Sequence, residues 1–382
     1  MTTLSIRNFA QIESVTLEFG DLTVLVGPQA TGKSLALQWF KWAMDSGEIR
    51  RALKESGQQT NDPKSILDLV FGEGMASSWT DDSAVELDGK AVFPRLPRVR
   101  SSDAGRVFFV PAHRALLLAE GWPAPFLKLS TDVPVVARLF SQNLYSRFTG
   151  RQAAALFPVD RILKQVYRNV IDEAVFHGGQ VVLDRQGLGS RVKLKYGDQP
   201  SLPYMTWTSG QREFTPLLLG LYHVLPPRKE KKKKDIDWVI VEEPEMGLHP
   251  QAIAVFMLLV LDMLWRGYKV VLSTHSTLVL DVIWSIQQLA ANSNPDNWRL
   301  LCDGFSLEPN RALMPVMNQA LKNTYRVHFL GYGIGASAKV SSRDISPLDP
   351  GAEDFYQANW GGLTGFSSKF GEAVRKAVNE AE

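Results

Sequence analysis

The sequence holds one cysteine, Cys302, among 382 residues, so no disulfide can form within the chain and a reducing, cytoplasmic compartment is expected. A strong charge of one sign is missing too. Lys and Arg number 42 against 40 Asp and Glu, a formal net charge of +2, which excludes a polycation built to coat nucleic acid. No apolar run reaches the ~18 residues of a membrane span. The longest candidate, Ala252 to Trp265, reads as a core helix. Met1 to Phe9 enters a strand directly and leaves no room for a signal peptide. Repeats are absent, and nothing sustains three heptads, which excludes a long coiled-coil arm. What is present is a 45% hydrophobic chain longer than an average domain, read as one large α/β domain with an insertion.

Gly27-Pro28-Gln29-Ala30-Thr31-Gly32-Lys33-Ser34 is a complete G-x-x-x-x-G-K-S phosphate loop. Its glycines let backbone N–H groups close around phosphate oxygens, Lys33 reaches the β/γ-phosphates, and the Ser34 hydroxyl can ligate Mg²⁺. The flanks fit as well. Leu22 to Val26 is a short, apolar, β-branched run that predicts a buried strand, and Ser34 to Phe40 has helical character. A strand, a loop and a helix N-terminus make an anion site, here for ATP with Mg²⁺.

A second buried strand, Asp237 to Val241, ends in Glu242-Glu243. Acids at a strand end are often merely solvated, but here an apolar run precedes them and Pro244 stops the strand. Carboxylates at the C-terminal end of a parallel strand beside a phosphate loop can hold Mg²⁺ and polarise water. Glu242 is expected on the metal side, with Glu243 as the base. A third strand, Tyr268 to Thr274, runs into His275-Ser276. A lone histidine is more often structural, but at the carboxyl end of the next strand His275 is placed to touch a γ-phosphate.

These residues, with Thr208-Ser209-Gly210-Gln211 between them, resemble the ATP-binding-cassette ATPase superfamily across roughly positions 20 to 280. Within it the chain looks like the soluble RecF/SMC-like branch, including ATPases of the overcoming-lysogenization-defect type. The carriers are Leu4-Ser5-Ile6-Arg7-Asn8-Phe9 with Ile12 to Phe19, similar to that branch's first hairpin, and Glu243-Pro244-Glu245-Met246-Gly247-Leu248-His249-Pro250, similar to its dimer loop. Thr208-Ser209-Gly210-Gln211 stands where the family has S-G-G-Q, with Ser209 in place of the first glycine. The resemblance implies a P-loop NTPase fold of the ABC-ATPase head type, a mixed sheet with an N-terminal β-hairpin and an inserted helical lobe. It implies two heads sandwiching two nucleotides, each signature completing the other's site, and Arg7 and Phe9 near the adenine. The glutamine-loop position falls in Arg106 to Arg114. There His113 or Arg114 could replace the glutamine, or Arg114 could simply face solvent.

The expected core is 1–125 with 200–332. A lobe over 126–199 combines helical periodicity from Asp132 to Val175 (Val136, Leu139, Phe140 and Leu144 on one face) with a hairpin, 180–184 and 191–195, turning at Gly187-Leu188-Gly189. Gly47 to Pro97 is polar and mixed, and 57–63 reads as an exposed loop. Thr324 to Leu330 predicts a strand. Residues 333–382 read as an irregular extension, with Asp344, Asp349, Glu353 and Asp354 in a Gly/Ser/Pro-rich stretch, ending in a helix from Ser367 to Ala381. The segment is too short for an appended nuclease domain. Lys229, Lys231, Lys232, Lys233 and Lys234 form a basic loop, either solvated or in contact with a phosphate backbone. Two function classes follow: an ATPase switch whose dimerisation controls a separate effector, in genome maintenance or phage defence, and the nucleotide-binding subunit of a membrane transporter.

Overall fold

The computed structural model describes residues 2–96, 105–149, 154–159, 162–186, 189–226, 231–292, 294–333 and 338–379. The N-terminal third supplies β1 (Thr2–Phe9), β2 (Ile12–Phe19), β3 (Leu22–Val26), α1 (Lys33–Glu55), α2 (Pro63–Phe71), β4 (Trp79–Leu87), β5 (Lys90–Phe93) and β6 (Val107–Val110). Then come α3 (Val135–Phe148), β7 (Ala154–Phe157), α4 (Gln165–Ile171), β8 (Gln180–Gln186), β9 (Gly189–Lys195) and β10 (Leu202–Pro203). The remainder holds α5 (Ser209–Val224), β11 (Trp238–Glu242), α6 (Pro250–Trp265), β12 (Lys269–Ser273), α7 (Thr277–Ala291), α8 (Asn297–Gly304), α9 (Met314–Ala320), β13 (Tyr325–Tyr332), β14 (Val340–Asp344), α10 (Phe355–Ala358) and α11 (Gly365–Asn379).

Ten strands form one mixed sheet in the order β5-β4-β1-β2-β14-β13-β3-β12-β11-β6. From β13 to β6 every pairing is parallel. These central strands are near-continuous apolar runs because both of their faces are covered. Alternate residues serve opposite cores: Val24, Val239, Val241, Val270 and Leu272 on one side, Leu25, Ile240 and Val271 on the other. Each such fully buried side chain contributes roughly 1.5–3 kcal/mol. At the other end of the sheet, β1 and β2 pair antiparallel and alternate, with Leu4, Ile6, Val15 and Leu17 buried and Arg7 and Ser14 exposed.

The C-terminal segment is more ordered than its composition suggests. β14 lies between the N-terminal hairpin and the parallel core, parallel to β2 through Val340↔Ile12 and antiparallel to β13 through His328↔Asp344. Only Val340 and Ser341 of its five residues are buried, so its sequence carries almost no strand signal. β4 and β5 extend the sheet from a stretch that read as polar and mixed. The stretch expected to be helical from 132 to 175 is interrupted by β7, which joins β8, β9 and β10 in a four-stranded antiparallel sheet. Gly187 and Leu188, in the expected turn of the β8–β9 hairpin, lie outside the described residues.

An internal ion cluster pins β6 to α1. Lys41 Nζ donates to Asp45 Oδ2 (2.7 Å), Glu48 Oε2 (2.7 Å) and the Val107 carbonyl (2.8 Å). Asp45, non-helical within α1 at φ −133°, accepts the N–H groups of Arg106 and Val107. Burial alone would lower the Lys41 pKa, but Asp45 and Glu48 outweigh it and hold it above its ordinary value.

Candidate nucleotide site

Leu25, Ser273 and Glu242 sit in one cross-strand row, so β3, β12 and β11 end at the same edge of the sheet. The phosphate loop, His275 and the Glu242-Glu243 pair therefore emerge side by side, in the crevice where open α/β sheets bind ligands. β6 ends one row earlier, with Val110 opposite Val241, and leads into Ala112 and His113.

The phosphate loop is fixed by its neighbours. Gly27 has φ +143°, and a Cβ there would lie 2.0 Å from the Leu330 carbonyl oxygen, so only glycine fits. Gln11 Nε2 (3.2 Å) and Tyr332 Oη (3.0 Å) both donate to the carbonyl of Ala30, which has φ +60°. Thr31 Oγ1 donates to the Pro28 carbonyl at 2.8 Å. Pro28, Gln29, Ala30 and Ser34 are exposed, while Thr31, Gly32 and Lys33 are buried. Helix α1 begins behind Gly32 with no side-chain cap and no acid in its first turn. Its first N–H groups are thus left for an anion. Lys33 Nζ donates to the carbonyls of Gly27 and Pro28, at 2.8 Å each. Burial lowers its pKa to about 8, against the pull of Glu243 and Glu245.

The two acids at the end of β11 differ in environment. Glu242 is 4% exposed, and burial raises its pKa to about 7 against the Ser34 hydroxyl and the Ala112 N–H. Its Oε2 accepts that N–H at 3.2 Å, while Oε1 is buried with no hydrogen-bond partner. Glu243 is half-buried at φ +40°, a left-handed conformation costing on the order of 1–2 kcal/mol for a non-glycine residue. Its N–H donates to the Ser273 carbonyl at 2.9 Å, holding that turn. The carboxylate lies 3.6 Å from His275 Nε2. The nearby His275 imidazole keeps its pKa below the ordinary value despite partial burial. One acid is pushed toward neutrality and its neighbour is kept ionised.

No group of three or more His, Cys, Asp or Glu among the described residues could hold a metal unaided. A Mg²⁺ bound by phosphate is a different case. Ser34 and the unsatisfied Oε1 of Glu242 are oxygen donors at the mouth of the phosphate loop, the hard ligands such an ion takes alongside phosphate and water.

Several expected residues take other places. Phe9 is fully buried, its ring 5.2 Å from Trp39 and 5.7 Å from Phe71, so it is a core residue with no surface for an adenine. Arg7 is exposed and pairs with Glu86 at 3.5 Å. Gln211 is 6% exposed and turned inward, donating to the Val175 carbonyl and to Tyr196 Oη, and its Oε1 completes a capping box with Thr208 at the start of α5. That leaves Thr208, Ser209 and Gly210 at the surface of the signature turn. A Cβ at Gly210 would meet only the Gly247 carbonyl oxygen, at 3.4 Å, so the chain's own packing does not demand glycine there.

Arg114 neither faces solvent nor enters the crevice. It is fully buried, and its guanidinium donates to the carbonyls of Ala112, Glu242, Glu243, Pro244 and Glu213 at 3.1–3.4 Å. One side chain thereby ties α5 to the turn carrying both acids. Glu245, from the stretch similar to the dimer loop, accepts the His275 backbone N–H and fixes that loop. Glutamate and arginine in loops give no sequence signal for such clamps. Of the candidate lysines, Lys229 lies outside the described residues. Lys232 pairs with Asp237 at 2.7 Å, Lys233 Nζ lies 2.9 Å from His223 Nε2, and Lys231 lies over the Trp265 ring. Lys234 is exposed.

Two family models match the chain. One, described as an AAA domain, putative AbiEii toxin, type IV TA system, matches residues 111–281; the other, an AAA domain, matches residues 3–89. No curated protein matches the sequence. Among solved structures, the SMC head domain from Thermotoga maritima is similar at 10% identity and TM-score 0.38, covering 90% of this chain and 97% of that one. An Smc head domain with an extended coiled coil, bound to the C-terminal domain of ScpA derived from Pyrococcus furiosus, gives 12% identity and TM-score 0.41 at the same coverage. Both family descriptions name an AAA domain, one over the segment that holds Glu242, Glu243 and His275 and the other over the segment that holds the phosphate loop.

Proposed function

We propose that the protein is a Mg²⁺-dependent ATP-hydrolysing switch, in which nucleotide-gated closure of two heads controls a separate effector. The observation that carries it is the pairing of Glu242 and Glu243 beside Lys33, one acid buried with a free oxygen and the other ionised on His275. The phosphate loop N–H groups and Lys33 bind and neutralise the phosphates. Mg²⁺, when bound, supplies charge neutralisation between phosphate oxygens, held through Ser34 and Glu242. Glu243 accepts a proton from the attacking water, and His275, 3.6 Å away, orients that carboxylate. Ser209 and Gly210 act on the partner head's nucleotide. A glycine that its own chain does not need, in an exposed turn, leaves a phosphate free to approach. The family description that names a toxin of a type IV system is in keeping with a role in defence against phage.

The two-head reading is tested with Gly210→Glu, at a position where a Cβ would meet only the Gly247 carbonyl oxygen, at 3.4 Å. ATP binding to this variant is expected to persist while turnover is lost, because the carboxylate would face the partner's γ-phosphate. Mixing it with Lys33→Ala restores one intact composite site per heterodimer, and with it part of the hydrolysis. Wild-type turnover by Gly210→Glu alone would show that the signature does not act across heads.

A further inference from the structure

Glu242, Glu243 and His275 leave the sheet on one side of β3, by way of β11 and β12. On the other side of β3 lies β13, followed by β14 and β2. A triphosphate laid across the phosphate loop with its γ end at those acids therefore sends its base toward β13 and the β1–β2 turn. The backbone of β13 runs hard against the loop, since a Cβ at Gly27 would lie 2.0 Å from the Leu330 carbonyl oxygen. Two residues on, at the last position of the strand, Tyr332 is 48% exposed. The two-residue period of a strand puts it on the face of Leu330, which packs into the core that α1 shares. Its Oη donates to the carbonyl of Ala30 at 3.0 Å. From the β1–β2 turn, Gln11 Nε2 donates to the same carbonyl at 3.2 Å. A Cβ at Gly32 would meet Ile12 at 3.0 Å and Gln11 Nε2 at 3.4 Å, so the turn lies against the loop on this side as well.

We infer that Tyr332 is the base-stacking residue of the nucleotide site: its exposed ring carries the purine of ATP, and Gln11 closes the wall beside it. The inference rests on the proposed orientation of the triphosphate and supplies the base contact that orientation lacks. Of the two residues expected near the adenine, Phe9 is buried in the core and Arg7 pairs with Glu86. Tyr332 has what a stacking platform needs. It presents a flat aromatic face, and the bond from its Oη to Ala30 fixes the far end of the side chain. Little rotamer freedom is then left to lose when a base covers the ring. Bracing the phosphate loop would need only the hydroxyl, whereas stacking needs the ring, so substitution separates the two roles.

The test is calorimetric titration of the full-length protein, with Mg²⁺, by a non-hydrolysable ATP analogue and by inorganic tripolyphosphate, which has no base. Wild-type protein is expected to bind both, the analogue more tightly. Tyr332→Ala should weaken the analogue about five- to a hundredfold, the range for a lost base–aromatic stack, and shift tripolyphosphate affinity by no more than about threefold. Tyr332→Phe keeps the ring and drops the hydroxyl, so the analogue should keep its advantage over tripolyphosphate. Tyr332→Leu keeps an apolar side chain at the strand end without a flat ring. It should lose that advantage as Tyr332→Ala does, and it decides the matter if the alanine variant is unstable. Equal losses for both ligands, or a loss in Tyr332→Phe as large as in Tyr332→Ala, would show that Tyr332 only braces the loop and overturn the inference. Unchanged affinity for the analogue in the alanine and leucine variants would overturn it too. Wild-type protein that binds neither ligand would instead refute the phosphate-loop reading, and this inference with it.

Discussion

Replacing Arg114 by methionine keeps most of the side chain's volume and removes every donor. Five backbone carbonyls, from Ala112, Glu213, Glu242, Glu243 and Pro244, then lose a partner at once. Each hydrogen bond from a charged donor contributes about 1.5–3 kcal/mol, and much of that is offset because the wild type must bury a guanidinium. Burial is the main reason the Arg114 pKa lies below its ordinary value, with Glu213 and Glu245 opposing it. The net loss expected is about 3–5 kcal/mol, as for one broken partner of a buried charge. For a chain of 382 residues, at about 1–1.5 °C per kcal/mol, this lowers Tm by roughly 3–7 °C, readable by calorimetry. Arg114→Lys should fare little better, because an ammonium cannot span the same fork of acceptors. The phosphate loop is not among the contacts of Arg114, so nucleotide affinity below the melting range should change little. Turnover should fall on the order of a hundredfold, since the turn presenting Glu243 loses its support. A variant with wild-type Tm and wild-type turnover would refute the assigned clamp.

Three further outcomes follow from named contacts. Lys33→Ala should abolish or strongly weaken binding of a fluorescent ATP analogue, and unchanged affinity would remove the phosphate-loop assignment. The free-state pKa of Lys33 is about 8 and bound phosphate raises it. Nucleotide affinity is therefore fully present below about pH 8 and falls as pH rises, by up to about tenfold per unit until the bound-state pKa is passed; calorimetric titration giving a flat profile there would contradict it. Lys41→Met leaves Asp45, which has no solvent exposure of its side chain, without its cation and should cost about 3–5 kcal/mol, whereas a Tm unchanged within a degree or two would show that the cluster contributes nothing.

The sequence made the site's scaffold legible because β3, β11 and β12 are buried on both faces. Strands of that kind read as unbroken apolar runs, and the chemistry-bearing residues follow them directly. What it hid depends on partners distant along the chain. β14 is Val-Ser-Ser-Arg-Asp, held by neighbours more than three hundred residues away in one case and only nearby in the other, with no pattern of its own. Phe9 ends a strand exactly where an aromatic could meet either a ligand or Trp39, and only the packing against α1 decides for the core. Arg114 and Gln211 looked like surface chemistry because Arg and Gln usually lie outside. Each is buried here because backbone carbonyls from other segments converge on it.

Glu243→Gln, assayed for ATP binding and for steady-state hydrolysis in the same Mg²⁺-containing preparation, addresses the central claim most directly. The substitution keeps the side chain's size at a backbone position already strained at φ +40° and removes only the carboxylate that lies 3.6 Å from His275. Binding should stay within about threefold of wild type, while turnover falls by about two orders of magnitude or more, with ATP retained in a closed state. Hydrolysis at the wild-type rate would contradict the account and return the role of base to Glu242 or Glu245.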